Sequence, residues 1–145
     1  MTAACVLLLP LQGCSLEQLS VDCQRLQNVT YLPDTYSSLI RETQIDRKSS
    51  IFASKQQVML SEQLAQIPLS DLTLNHHRSE LVKLYRLDSD LGLQVSAFMT
   101  NSGQILVTGA SRSAYEQVAR QRIYISQQVQ DIHNYIASYC GASEF

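Results

Sequence analysis

A repeating three-four spacing of core-type residues between positions 74 and 98 most constrains what this chain can fold into. The repeat consists of Leu74, His77, Leu81, Leu84, Asp88, Leu91, Val95 and Phe98. Such a spacing, kept up for more than three heptads, is typical of a helix that packs along its length against neighbouring helices. The segment therefore predicts a helical bundle.

The remaining sequence also favours long helices, because only five Gly and three Pro interrupt 145 residues. Ser15 and Gln18 form a capping box that predicts a short first helix, ending before Pro33. Three long helices are predicted over 35–66, after the Ser70 cap to about 100, and from Ser111 or Ser113 to Cys140. The fold class predicted is all-α, an up-and-down four-helix bundle with one short N-terminal helix and three long helices.

Apolar stripes predict which side of each helix faces the core. In the second helix they comprise Leu39, Ile40, Ile45, Ile51, Phe52, Val58, Met59, Leu64 and Ile67. In the fourth they comprise Val118, Arg122, Ile125, Val129, Ile132, Ile136 and Tyr139. Asp88 and Arg122 are polar members of two facing stripes, so we expect them to meet across the core and fix the register of the helices.

The N-terminus carries an apolar run, Ala3–Leu11, of signal-peptide length and too short to span a bilayer. The Leu-Gln-Gly-Cys string that ends at Cys14 resembles a bacterial lipobox, in which a small residue precedes the cut and the cysteine thiol takes diacylglycerol. Gln12 departs from that pattern, and no Lys or Arg precedes the apolar run. We predict a signal peptide over 1–13 and a helical bundle domain over 14–145, with Cys14 lipidated. Export without lipid and a plain core helix are the alternatives.

Cysteine usage fits this processing. Of the four cysteines, Cys5 would leave with the signal peptide and Cys14 would carry lipid, which leaves Cys23 and Cys140. The first and last helices of an up-and-down bundle can be neighbours, so a Cys23–Cys140 disulfide is sterically reasonable. The alternative is a pair of buried free thiols in a reducing cytosol.

Few features indicate catalysis or nucleic-acid binding. The net charge is −2 and the basic residues are scattered, so no nucleic-acid partner is predicted. The segment 105–112 looks like the cofactor turn of short-chain dehydrogenases, but Ser113 and Tyr115 stand where further glycines are needed. No nucleophile elbow of the Gly-x-Ser-x-Gly type occurs, and the chain is predicted not to be an enzyme.

The three histidines are His76, His77 and His133. His76 and Glu80 lie one helical turn apart and could place two metal ligands on one face. However, neither a paired Glu-x-x-His nor a Cys-x-x-Cys-His motif occurs, so no metal or other cofactor is predicted. The alternative is a metal-, tetrapyrrole- or signal-binding bundle that uses His77 or His133.

The segment LAQIPLSDLTLNHHRSELVKLY, with the closing pair Tyr139-Cys140, resembles small secreted or lipid-anchored helical proteins of cyanobacteria. The resemblance implies an all-helical envelope protein with paired cysteines, and it implies no activity. The sequence thus predicts a non-enzymatic interaction or assembly module, attached by lipid to the periplasmic or thylakoid-lumenal face of a bacterial membrane. Its protein partner is not identified by the sequence, and a cytoplasmic location is the alternative.

Overall fold

The computed structural model describes residues 10–30 and 46–141, with side chains over 16–29 and 46–141. These segments form four helices: α1 (Pro10–Thr30), α2 (Arg47–Gln66), α3 (Leu72–Ala97) and α4 (Gly109–Gly141). They pack against one another in an all-α four-helix bundle, so the predicted fold class is confirmed. α3 is the central helix because it packs against both α2 and α4, while α1 contacts all three of the others.

The starts of the first two helices differ from the prediction. α1 begins at Pro10, so Ser15 lies inside the helix and is not its N-cap. α2 begins at Arg47 and has 20 residues, so the prediction of a long second helix from position 35 is wrong over the described part. Asp46 has extended backbone and its carboxylate accepts the Ser49 N–H at 2.7 Å, which starts the helix there. Hydrogen bonds from the backbone N–H and the side chain of Ser49 hold the pKa of Asp46 below its ordinary value. The predicted residues 35–45 lie outside the described residues.

The start of α3 is set by Asp71 and not by Ser70, which was the predicted cap. Asp71 Oδ1 accepts the Leu74 N–H at 2.8 Å, and α3 begins at Leu72. Asp is as good an N-cap as Ser, and its charge also suits the positive end of the helix. The prediction therefore identified the break correctly and chose the wrong one of two adjacent caps.

The described hydrophobic core is divided into two clusters. The larger consists of Cys23, Leu26, Leu64, Ile67, Leu74, Leu81, Tyr85, Ile136 and Cys140, and draws on all four helices. The smaller lies between α3 and α4 and consists of Leu91, Val118 and Ile125. The stripes predicted for α3 and α4 contribute residues to both clusters.

The buried side of α2 is lined mainly by serine. Ser50, Ser54 and Ser61 are buried, whereas Phe52 and Met59 are 54% and 51% exposed. Within the described residues the predicted apolar stripe is therefore wrong at Phe52, Val58 and Met59 and confirmed at Leu64 and Ile67. Its other members Leu39, Ile40 and Ile45 lie outside the described residues, and Ile51 is half-buried.

The reason for this reversal is the close approach of α2 to a small-residue face of α3. A Cβ added to Gly92 would clash with Ser54 Oγ of α2, so a larger residue at this position requires the Ser54 side chain to move. Ser89 Oγ also donates to the Ser54 carbonyl at 2.8 Å, across the same contact. Small residues are buried here because they let the backbones approach.

The four helices of the described segments have between 20 and 33 residues. None of these helices is long and apolar enough to cross a bilayer.

Candidate functional site

The two cysteines that remain after the predicted processing lie together and link α1 to the end of α4. Their Sγ atoms are 2.16 Å apart and their Cα atoms 5.7 Å apart, in a disulfide that is 5% and 3% exposed at Cys23 and Cys140. The bridge spans 117 residues of sequence. A cross-link of that length stabilises a fold by about 4–5 kcal/mol in the chain-entropy model.

The residue before Cys23 is a fully buried carboxylate. Asp22 Oδ2 accepts the backbone N–H groups of Ser70 at 2.6 Å and of Asp71 at 2.9 Å. Asp22 Oδ1 accepts a hydrogen bond from Gln18 Nε2 at 3.0 Å and lies 3.6 Å from the Arg25 guanidinium. A buried charge is stable only when it is hydrogen-bonded and paired. Because two of the hydrogen bonds to Asp22 come from the turn between α2 and α3, Asp22 fixes α1 to that turn.

Two more contacts join this region. Tyr139 O–H donates to Asp71 Oδ2 at 3.2 Å, which links α4 to the N-cap of α3. Arg25 donates to the Pro68 carbonyl at 3.2 Å, which links α1 to the same turn. We call Asp22, Cys23, Asp71, Tyr139 and Cys140 the junction. It ties α1, α4 and the α2–α3 turn together at one end of the bundle.

Sequence reasoning identified the two cysteines of the junction but missed Asp22. Asp22 is three residues after Leu19 and four before Leu26, so it occupies the buried side of α1. An acidic residue inside an apolar stripe is the signal that could have found it.

A second polar group lies where α3 contacts α4 and α2. Arg122 Nε donates to Asp88 Oδ1 at 2.9 Å and its NH2 to Oδ2 at 3.4 Å, so the expected meeting of these two residues is confirmed. Gln57 Nε2 of α2 also donates to Asp88 Oδ2. The side chains of Asp88 and Arg122 are 14% and 33% exposed, so this ion pair is partly buried. Gln57, Asp88 and Arg122 together link three helices, and we call these three residues the polar layer.

Two of the three histidines, His77 and His133, lie against tyrosines. The ring of His77 is 4.4 Å from that of Tyr135, and His133 Nε2 shares a hydrogen bond of 2.9 Å with Tyr85 O–H. These contacts belong to the packing of α3 against α4.

The predicted neighbours His76 and Glu80 also come together. His76 Nε2 lies 3.5 Å from Glu80 Oε2, and His77 Nδ1 lies 3.6 Å from the same oxygen. Nevertheless, within the part of the chain that the structure describes, no group of three or more His, Cys, Asp or Glu residues is arranged to hold a metal ion. His76 and Glu80 therefore form a surface pair on α3.

The predicted lipidation site lies at the edge of the description. Cys14 belongs to α1, nine residues before Cys23, but its side chain is outside the described residues. Residues 1–9 of the predicted signal peptide are outside them too. Lipidation of Cys14 remains a prediction.

Comparison with known proteins gives no relative to assist the assignment. No protein-family model, curated protein or solved structure matches this chain. The resemblance to small cyanobacterial envelope proteins therefore remains a prediction.

Proposed function

We propose that this protein is an exported helical bundle of the bacterial envelope, anchored through lipid on Cys14, that acts as a non-enzymatic interaction or assembly module. The observation that carries the proposal is the Cys23–Cys140 bridge of the junction. Structural disulfides persist in oxidising compartments such as the periplasm and are rare in the cytosol. The bridge therefore supports a periplasmic or lumenal location.

The geometry of α1 suits a tether. The helix runs through both Cys14 and Cys23, nine residues apart, which corresponds to about 14 Å of helix. A lipid on Cys14 would thus connect to the junction through helix and not through a flexible linker. Asp22 then connects α1 to the start of α3 by hydrogen bonds, and Cys23 connects it to α4 by the disulfide.

Tethering itself supplies the mechanism. A module held at a membrane meets a membrane-bound partner at a raised effective concentration, without any new contact. The amide-linked and diacylglycerol chains of a lipoprotein cysteine exceed what stable anchoring requires. The partner would be a protein on the same membrane, and the membrane itself is bound through the anchor.

Mass spectrometry of the native protein from a bacterial host able to lipidate tests the proposal. We expect a chain that begins at Cys14, carries lipid, and resists thiol alkylation until it is reduced. A Cys14→Ser variant is the matched control and should remain unlipidated with the bridge intact. An unmodified wild-type Cys14 on a chain that retains its first residues would refute the anchored form. Free thiols at Cys23 and Cys140 in the native protein would remove the argument for export.

The alternative, a ligand-binding bundle, is tested on the same material. It requires His77 or His133 to leave the tyrosine that it now contacts. Visible absorbance of the purified protein, or metal that co-purifies with it and is lost in a His77→Ala or His133→Ala variant, would favour this alternative.

A further inference from the structure

Each of the two junction cysteines follows a polar residue that binds the same residue of the bundle, Asp71. Asp22 comes directly before Cys23, and its Oδ2 accepts the backbone N–H of Asp71 at 2.9 Å. Tyr139 comes directly before Cys140, and its O–H donates to Asp71 Oδ2 at 3.2 Å. Asp71 thus contacts the neighbour of each cysteine, one through its backbone and the other through its side chain.

Asp71 can hold two other segments because its own position is fixed as the N-cap of α3. Its Oδ1 accepts the Leu74 N–H at 2.8 Å, and its carbonyl accepts the Asn75 N–H at 2.9 Å. Asp22 reaches it from the buried side of α1, and Tyr139 reaches it from the last turn of α4. These hydrogen bonds bring two helices together at one point without requiring the covalent bond between them.

The pairing of Cys23 needs such a contact because loop closure favours another partner. Cys14 is nine residues away from Cys23, whereas Cys140 is 117 residues away. In an unfolded chain the entropy of loop closure favours the shorter loop by about 50-fold. The long-range bridge therefore predominates only if the fold brings its two thiols together.

The fold excludes the nearer partner and supplies the distant one. Both Cys14 and Cys23 lie in α1, where nine residues of helix separate them by about 14 Å. A disulfide joins Cα atoms that are less than about 7 Å apart, so this pair cannot form while the helix is intact. Cys140 meets the requirement, with its Cα 5.7 Å from that of Cys23.

We propose that Asp71 is a positioning residue that pairs Cys23 with Cys140, by holding Asp22 and Tyr139 together before the disulfide forms. The reduced chain then has its two junction thiols side by side, ready for oxidation by a small-molecule or protein disulfide. One consequence, which rests on the proposed function, is that the Cys14 thiol stays free to take lipid.

The oxidation is a thiol–disulfide exchange, for which oxidised glutathione serves as the probe. The thiolate of one junction cysteine attacks a glutathione sulfur, forms a mixed disulfide and releases one glutathione thiol. The thiolate of the other cysteine then attacks the cysteine sulfur of the mixed disulfide and releases the second glutathione. The two cysteines lose two electrons and two protons, which the two glutathione thiols gain.

The pairing is measured on the full chain with Cys5→Ser, made in a membrane-free extract so that Cys14 remains as the single competitor. The reduced chain is equilibrated with reduced and oxidised glutathione, alkylated, and mapped by mass spectrometry of its peptides. The measured quantity is the ratio of the Cys23–Cys140 isomer to the Cys14–Cys23 isomer. We expect the first to predominate in native buffer, and the second to predominate about 50-fold in concentrated guanidinium chloride.

Variants of the two contacts test the role of Asp71. Asp22→Ala should lower the isomer ratio at least about 30-fold, because two backbone N–H groups lose their acceptor. Tyr139→Phe should lower it about threefold, because the last turn of α4 loses one hydrogen bond. Tyr135→Phe removes the same hydroxyl one helical turn earlier, from a side chain that is 46% exposed, and should leave the ratio unchanged.

Two further variants separate positioning from general stabilisation. Asp71→Ser retains an N-cap but lacks the Oδ2 that Tyr139 uses, so it should lower the ratio as much as Tyr139→Phe, and the two together no further. Gly92→Ala weakens the contact of α2 with α3, which both isomers share, so it should lower stability and leave the ratio unchanged.

The proposal is overturned if the wild-type ratio is the same in native buffer and in denaturant, or if Asp22→Ala leaves the ratio unchanged. It is also overturned if Tyr135→Phe or Gly92→Ala lowers the ratio as much as Tyr139→Phe. None of these outcomes depends on lipid or on export. Failure of the proposed function, which is detected in the mass of the native protein, is therefore distinguishable from failure of this inference.

Discussion

Replacing Asp22 with alanine removes the one fully buried carboxylate in the described part of the chain. The substitution leaves the backbone N–H groups of Ser70 and Asp71 without the oxygen that accepts both of them, at 2.6 and 2.9 Å. It leaves the disulfide at the neighbouring Cys23 in place. The change therefore separates the polar contact of α1 with the α2–α3 turn from the covalent link to α4.

The cost follows from what is left unpaired. Each buried donor that loses its acceptor costs about 1–3 kcal/mol, and the exposure of Ser70 favours the lower half of that range. Arg25 adds little, because its side chain is 46% exposed and returns to water when the carboxylate is lost. For Asp22→Ala we therefore expect a loss of about 2–4 kcal/mol in the free energy of unfolding.

Asp22→Asn is the matched control for charge. Both backbone donors use Oδ2, so an amide oxygen in that position can still accept them. The amide nitrogen would then face Gln18, whose own side-chain amide can turn to accept from it. We expect a loss of about 1 kcal/mol, because one hydrogen-bond acceptor site and the charge are lost while both backbone contacts remain.

Urea unfolding of the oxidised proteins, followed by far-ultraviolet circular dichroism, measures both losses in the free energy of unfolding, with one m value fitted to all variants. If Asp22→Ala costs less than about 1 kcal/mol, the two N–H groups do not depend on Asp22 and the account of the junction is wrong. If Asp22→Asn costs as much as Asp22→Ala, the charge and not the hydrogen bonding holds α1 in place.

Three further predictions concern the helix contacts. Gly92→Ala should lower the free energy of unfolding by about 1–3 kcal/mol, because the new Cβ clashes with Ser54 Oγ. Ser54→Ala in the same chain removes that oxygen and should recover most of the loss in thermal unfolding. Arg122→Met should lower the free energy of unfolding by about 1–3 kcal/mol, because Asp88 keeps a partly buried charge without its partner. Asp88→Leu with Arg122→Met removes both charges and should be close to neutral in urea unfolding. Equal losses in the single and double variants would contradict this account of the polar layer. Because the pKa of Asp46 is lowered in the folded protein, its carboxylate stabilises the fold at a pH above the unfolded pKa. This stabilisation is lost as the pH falls through the folded pKa, which lies below the ordinary value of 3.8. Asp46→Asn caps the helix without titrating, so it should reduce the loss of stability in acid in a pH series of unfolding curves.

Much of the fold was predictable from local pattern. The seam of α3 and the stripe of α4 were identified from spacing alone, and Leu74, Leu81, Val118 and Ile125 are buried as expected. The Asp88–Arg122 pair followed from two polar residues on two facing stripes. In each case a helix of more than twenty residues repeats the apolar spacing several times, so one misassigned position does not change which side of the helix is predicted to be buried.

The start of α2 was not predictable in the same way. Asp34, Thr35 and Asp46 are all residues that favour N-caps, and the sequence does not rank them. The structure selects Asp46, where the extended backbone and the Ser49 N–H meet.

The sequence by itself determined that the chain is helical and where α3 and α4 bury their apolar stripes. Only the tertiary structure decided that α2 buries Ser54 and exposes Phe52, and that Asp22 lies fully inside the bundle. The spacing of apolar residues in the sequence predicts which side of a single helix buries apolar area, and this is a property of that helix alone. Close backbone approach at Gly92, and acceptors for the N–H groups of Ser70 and Asp71, are properties of pairs of segments and exist only once the helices are packed.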